Sequence, residues 1–512
     1  MNTNYDIIII GTGAGGGAIL DTLKHSGKRI LVLERGTFMP REKENWDTVE
    51  VFQKGCYHNA EDFYDDKGQK FQPEMGYWVG GNTKVYGAAM FRLREQDFRR
   101  TQHAGGGISP EWPLTYGDFE PYYTRAEMLF NVHGQRGLDP TEPYMSEDYP
   151  NPPISHEPVI QELYDKMKAG GYHSSYLPLG LRLNEADRLR SECIRCNTCD
   201  GFPCLVHAKA DADINCVRPA MGESQVTLLI NALVNRLITN ESGNEIKPVE
   251  VEVGGAKQTF SADVVVVACG AINSALLFLQ SANDKHPNGL ANQSDQVGRN
   301  FMKHQNATIM ALSRHKNPTV FQKTMAVADF YFGDQDFKFP MGHVQLMGKS
   351  NKHMIAADAP KLAPGFLLEE IADHTIDWWL TSEDLPDPSN RIKFKKGKKI
   401  INYTPNNEEA FQRLQTKWKE VPQECGVCDT VSDQKFYLGK TIPLAGVAHQ
   451  NGTVRFGSDP KTSVLDLNCK THEIDNLYVV DGSFFVSSGA VNPSLTIIAN
   501  AIRVGEHLIG TM

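Results

Sequence analysis

The sequence predicts an α/β protein: a discontinuous, Rossmann-like nucleotide-binding domain plus a second domain with a mostly antiparallel β-sheet flanked by helices. Three observations lead there. An all-apolar strand runs into a glycine cluster near the N-terminus, in NYDIIIIGTGAGG. Two more apolar strands ending in glycine turns, VVVVACG (264–270) and LYVVDG (477–482), lie far along the chain. Between them, stretches such as MAVADFYFG (325–333) and FPMGHVQLMG (339–348) alternate apolar and polar residues, the period of strands with one covered face.

Ile7 to Ile10 are β-branched and apolar on every face, which suits a parallel strand covered on both sides. Gly11, Gly13 and Gly16 follow in the spacing GxGxxG. Gly11 permits a tight turn, Gly13 lets a phosphate approach the backbone, and Gly16 lets the next helix pack against the strand. That helix, from near Ala14, points unpaired N–H groups at a pyrophosphate. The second strand, RILVLERG, ends in Glu34, about 20 residues on, where a carboxylate can bind a ribose hydroxyl. Strand, helix and acid together distinguish this from a glycine turn that holds nothing.

GYWVGGNTKVYGAAMFRLR (76–94) has little side-chain bulk around Gly80, Gly81 and Gly87, as expected where backbone runs along a large flat ligand. A helix, AINSALLFLQ, follows VVVVACG. The last segment places Asp481–Gly482 after a strand and starts a helix near Pro493, a residue tolerated in a first turn.

At 512 residues the chain is long for one domain, so two interwoven domains are expected. The nucleotide-binding domain is expected from 1–100, 220–305 and 450–512, and the substrate domain from 101–219 and 306–449. A net charge of −10 argues against nucleic acid as a partner. KFKKGKK (393–399) reads as a solvated hairpin. The proline-rich stretch 139–153 reads as a surface loop, a lid or an arm. Trp112 and Trp78 are either core residues or sugar-stacking faces. The first strand begins with no charged leader or apolar signal core before it, and no run of 18 apolar residues occurs, so a soluble, cytoplasmic protein is expected.

In these motifs the chain resembles the glucose–methanol–choline oxidoreductases, FAD enzymes that oxidise alcohols. The resemblance rests on GTGAGG with Glu34–Arg35–Gly36, VGGNTKVYG, ACGAINSALLFLQS, VGRNFMKH (297–304), HQNGTVRFG (449–457) and VVDGS…GAVNPSLTIIANAIR. In detail it is most similar to the bacterial sugar-oxidising branch, the pyranose-oxidase-like and C-glycoside 3-oxidase enzymes. The resemblance implies FAD held by Gly11, Gly13, Gly16, Glu34, Arg35, Gly80, Gly81, Asn82, Thr83, Val234, Asp481 and Gly482. The family's glycine loop often reads GGSSxxNG, so GGNTKVYG is expected to contact the flavin through its backbone more than its side chains. No histidine or cysteine lies between Met75 and Leu93, so FAD is expected to be non-covalent.

Alcohol oxidation by a flavin needs a base for the hydroxyl proton, a path for hydride to the flavin N5, and a group that orients the oxygen. Sixteen histidines are too many to choose from by composition. The resemblance implies His449 as the base and Asn492 as its partner. An imidazole can titrate near neutral pH, whereas an amide can only orient the hydroxyl. On residue type alone His449 also suits a turn, and Asn492 also suits a helix N-cap ahead of Pro493. The expected reaction is oxidation of a sugar or glycoside secondary hydroxyl, at C2 or C3, with O2 as acceptor and H2O2 as product. Two other readings stand beside it: an FAD dehydrogenase subunit passing electrons from a sugar or other alcohol to a partner through a cysteine-bound cluster, and a flavin-binding module without turnover.

Cys193, Cys196, Cys199 and Cys204 have the spacing CxxCxxCxxxxC, which can hold an iron–sulfur cluster or zinc. Neither is favoured over reduced thiols packed together or one reversible disulfide, because relatives that carry a cluster space their ligands differently. Cys425 and Cys428 form a CxxC without a βαβ context.

Overall fold

The computed structural model describes residues 3–313, 315–358, 364–426, 430–432, 443–446 and 448–512. Cys428 therefore lies outside the described residues.

The isoleucine run sits at the centre of a seven-stranded sheet. Five strands are parallel, in the order Val226–Leu229, Ile30–Leu33, Asn4–Ile10, Ala256–Val267 and Leu477–Val479. Ile7 lies opposite both Ile30 and Val264, and Ile7 to Ile9 are fully buried. Both faces of the strand are covered, which is why alternation is absent there. Ala256–Val267 continues antiparallel to Ile246–Val253, which pairs with Ala232–Thr239. Helices Ala14–Leu23 and Ala271–Gln280 follow their strands as expected, and Ser494–Thr511 closes the chain. The first and last helices cross at Gly505, where a Cβ would come 2.8 Å from Thr22 Cγ2.

The second sheet has six antiparallel strands, ordered Thr430–Ser432, Gln305–Leu312, Thr375–Ser382, His343–Leu346, Met325–Val327 and Ser174–Tyr176. Strand alternation divides its faces. Ile309, Trp378 and Leu346 are in register and share a core with Leu414, Trp418 and Val421 of the helix Glu408–Glu424. Trp378 and Trp418 meet edge to face at 4.7 Å. Thr308, Trp379 and Gln345, also in register, lie on the other face and line a cavity between the sheet and the nucleotide strands.

Several local expectations need correction. Of MAVADFYFG only Met325–Val327 is strand. The chain then turns, with Gly333 at φ +104° and the buried Tyr331 hydroxyl held between Asp97 and the Ala490 N–H. KFKKGKK does form a hairpin, turning at Lys396 and Gly397, both with positive φ. It is not wholly solvated, because Lys399 ion-pairs with Glu61 on the cavity wall. Trp112 is core, donating to Ser487 Oγ at 2.7 Å, and Trp78 donates to the Tyr57 carbonyl. Neither lines the cavity. Among the described residues no helix is long and apolar enough to cross a membrane.

Candidate active site

The cavity has a volume of about 860 Å³ and runs from the first glycine turn to the antiparallel sheet. At its nucleotide end, the glycines behave as their spacing predicts. A Cβ on Gly16 would lie 2.0 Å from the Gly11 carbonyl oxygen, so only glycine lets this helix approach the strand. A Cβ on Gly13 would meet nothing within 4 Å, and Gly13 lines the cavity at the helix N-terminus. That is a space a phosphate can occupy.

Glu34 is buried at the end of its strand and accepts from the Thr12 N–H (3.1 Å), the Thr12 hydroxyl (2.6 Å) and the Gly36 N–H (2.8 Å). Burial raises its pKa, against the pull of those donors. One carboxylate oxygen carries a single protein donor, which leaves capacity for a ribose hydroxyl. Arg35 stacks on Tyr77 at 3.7 Å and pairs with Glu61 at 3.2 Å. Gly11, Gly81, Asn82, Thr83, Val234, Asp481 and Gly482 also line the cavity.

The roles of Gly16, Gly80 and Asp481 change in kind. Gly16 and Gly80 stand behind the wall, and Gly80 donates its N–H to Thr12 Oγ1. The Asn82 and Thr83 side chains are occupied by Gly76, Glu74, Gly80 and Ala212, so what they offer a ligand is backbone. Asp481 accepts from the Gly270 and Ser483 N–H groups and from the Ser274 and Ser483 hydroxyls. Its carboxylate clamps the two late glycine turns together.

At the other end the cavity wall carries His449 and Asn492, with Asn492 Nδ2 3.3 Å from His449 Nε2. The helix after Asn492 begins at Ser494 with no side-chain cap, so Asn492 is not an N-cap. His449 Nδ1 lies 2.9 Å from His304 Nδ1. Gln345 donates to Asn492 Oδ1 at 3.4 Å, and Trp379 donates to Asn306 Oδ1 at 3.1 Å. Lys323 and Asp200 form an ion pair at 3.0 Å on the same wall. Burial raises the Asp200 carboxyl, and Lys323 outweighs it, leaving the pKa below its ordinary value. Burial pushes His449 well below the ordinary imidazole value, with His304, Lys323 and His343 adding to it. Burial likewise brings His304 to about 4. Both rings are neutral at pH 7.

His304, Gln345, Trp379, Lys323 and Asp200 had no role assigned from the sequence. His304 ends the VGRNFMKH motif, which was its one signal. Cys193, Cys196, Cys199 and Cys204 are free thiols, and among the described residues no group of three His, Cys, Asp or Glu side chains is placed to hold a metal ion.

The chain matches two family models, each described as GMC oxidoreductase, over residues 5–306 and 402–501. Paromamine 6'-oxidase of Streptomyces fradiae is 27% identical over 99% of this chain and 92% of that protein. The fructose dehydrogenase large subunit of Gluconobacter japonicus is 24% identical over 99% of this chain and 98% of that protein. Among solved structures, pyridoxine 4-oxidase from Mesorbium loti shares the fold, with a TM-score of 0.69 at 17% identity and 98% of each chain covered. The two family matches together span most of the chain, which therefore belongs to the GMC oxidoreductases, FAD-dependent enzymes acting on CH–OH donors.

Proposed function

We infer that this chain oxidises a ring hydroxyl of a sugar or glycoside, C2 or C3 of a pyranose or C-glycoside being the leading positions, with O2 as acceptor. The observation that carries the reading is the meeting of His449 and Asn492 at 3.3 Å on the wall of a cavity whose other end suits a dinucleotide. Bound FAD supplies the hydride acceptor. Gly13, Gly81 and Glu34 would hold its pyrophosphate and ribose, without a covalent tether.

The remaining chemistry belongs to side chains. His449, neutral because it is buried, takes the proton of the substrate hydroxyl. Asn492 hydrogen-bonds the hydroxyl and keeps it aligned. Around this pair the cavity wall carries the polar side chains of Thr308, Lys323, Asp200 and Gln345 beside the half-buried Trp379. That lining favours a polyhydroxylated substrate over a long-chain alcohol, which needs an apolar channel. The names of the two curated relatives, one an oxidase and one a sugar dehydrogenase, support the same class. In this reading residues 1–100, 220–305 and 450–512 form the nucleotide-binding unit, and 101–219 and 306–449 the substrate unit.

The test is an anaerobic visible spectrum before and after adding D-glucose, phenyl β-D-glucoside or paromamine. Collapse of the oxidised flavin bands supports the reading, and admitting air then shows whether O2 takes the electrons. Bands that collapse only with a long-chain alcohol would overturn the substrate class, and bands that never collapse would favour a module without turnover.

A further inference from the structure

Five groups of the site hydrogen-bond in a single line. Gln345 Nε2 is 3.4 Å from Asn492 Oδ1, and Asn492 Nδ2 is 3.3 Å from His449 Nε2. His449 Nδ1 is 2.9 Å from His304 Nδ1, and His304 Nε2 is 3.3 Å from the Ser488 carbonyl oxygen. The last contact has one polarity, since a carbonyl only accepts. His304 therefore carries its proton on Nε2. A neutral imidazole has one N–H, so His304 Nδ1 is a lone pair and His449 must donate from Nδ1. His449 Nε2 is then the lone-pair nitrogen, and it faces the donating end of the Asn492 amide. That amide in turn presents Oδ1 to the Gln345 donor. Reversing any link would set two lone pairs or two protons against each other.

We propose that this one-way chain sets the tautomer of His449, with His304 and Gln345 as positioning residues on either side of the His449–Asn492 pair. His304 keeps the His449 proton on Nδ1. Gln345 keeps Asn492 turned with Nδ2 toward the imidazole. Nε2 is thereby the atom that receives the substrate proton, the hydroxyl displacing the Asn492 N–H from its one lone pair: the hydroxyl O–H bond breaks as the Nε2–H bond forms. This role in the reaction rests on His449 being the base, whereas the tautomer follows from the hydrogen bonds between two neutral rings.

The experiment is 15N NMR of the FAD-loaded enzyme with labelled histidine and no substrate. The His449 signals, identified by their loss in His449→Gln, should show a pyridine-type Nε2 and a pyrrole-type Nδ1 at neutral pH. In Gln345→Glu a carboxylate can only accept, so it turns the Asn492 amide round and should place a proton on Nε2, at the cost of either the His449–His304 hydrogen bond or the neutrality of His449. Anaerobic flavin reduction by D-glucose should then fall at least about 10²-fold, the size of a lost general base. Gln345→Met leaves the amide free to keep its orientation and should cost less than about tenfold. Equal losses or a larger loss in Gln345→Met would overturn the proposal, as would an unchanged His449 15N pattern in Gln345→Glu or a pyrrole-type Nε2 in the wild type. If D-glucose never reduces the flavin but the Nδ1–H tautomer is seen and shifts in Gln345→Glu, the chain stands and the functional reading fails.

Discussion

Asn492 Nδ2 lies 3.3 Å from His449 Nε2, although the two residues are 43 apart in sequence. A carboxylate in place of the amide would favour imidazolium, opposing the burial that keeps His449 neutral. A protonated His449 cannot accept a proton. Asn492→Asp should therefore give flavin reduction an acid limb, slowing as pH falls and recovering as it rises. The wild type should be flat on the acid side of neutrality. A variant with the wild-type pH profile would contradict this.

The glycines separate cofactor binding from folding. Among the described residues a Cβ on Gly13, which lines the cavity, meets no atom within 4 Å, at a backbone φ of −67° that any residue adopts. Gly13→Ala should fold normally and bind FAD at least about tenfold more weakly, about 1.4 kcal/mol. A Cβ on Gly16 would sit 2.0 Å from the Gly11 carbonyl oxygen, so Gly16→Ala should lower the melting temperature as well. Thermal melts of the two apoproteins, with FAD titration, check the pair.

FAD should be released by acid precipitation. The glycine loop from Met75 to Leu93 holds no histidine or cysteine. Cys269 lines the cavity, but burial raises its thiol pKa far from the thiolate range, so it is a poor nucleophile. Yellow supernatant over a colourless pellet is the expected outcome, and a yellow pellet would show a covalent link.

How much of this was legible in the sequence depended on how local the cause was. Ile7 to Ile10, Gly11, Gly13, Gly16 and Glu34 act on backbone within one turn, and each stands where its motif implies. His449 and Asn492 could be chosen only through family resemblance, because their meeting depends on the loop 488–492 being held by His343 of the second sheet and by Tyr331 of the turn after Met325–Val327. Alternation told which residues share a face of one strand. It could not tell that Thr308, Trp379 and Gln345 would form one row, which needs the order of three strands. Asp481 stood in a ligand's place after a strand, but four donors from its own chain occupy it.

His343 offers a stability test of the site's packing. Its Nδ1 donates to the Ala490 carbonyl at 2.6 Å, and burial, aided by Arg94, lowers its pKa from 6.5 to about 3. Unfolded His343 takes up a proton below pH 6.5, and the folded residue does not until about pH 3. Its contribution to stability therefore falls as pH drops through that window, by about 1.4 kcal/mol per pH unit. Urea unfolding of His343→Gln from neutral to acid pH should show a shallower loss by about that amount, and identical slopes would contradict it.

The central claim is that His449 is the base. The most direct measurement is the anaerobic rate of flavin reduction in stopped flow, for wild type and His449→Ala with equal FAD content. The substrate would be whichever of D-glucose, phenyl β-D-glucoside or paromamine reduces the wild type. A fall of at least about 10²-fold with FAD still bound is the predicted result. An unchanged rate would remove His449 from the chemistry and, with it, the account of how this cavity oxidises an alcohol.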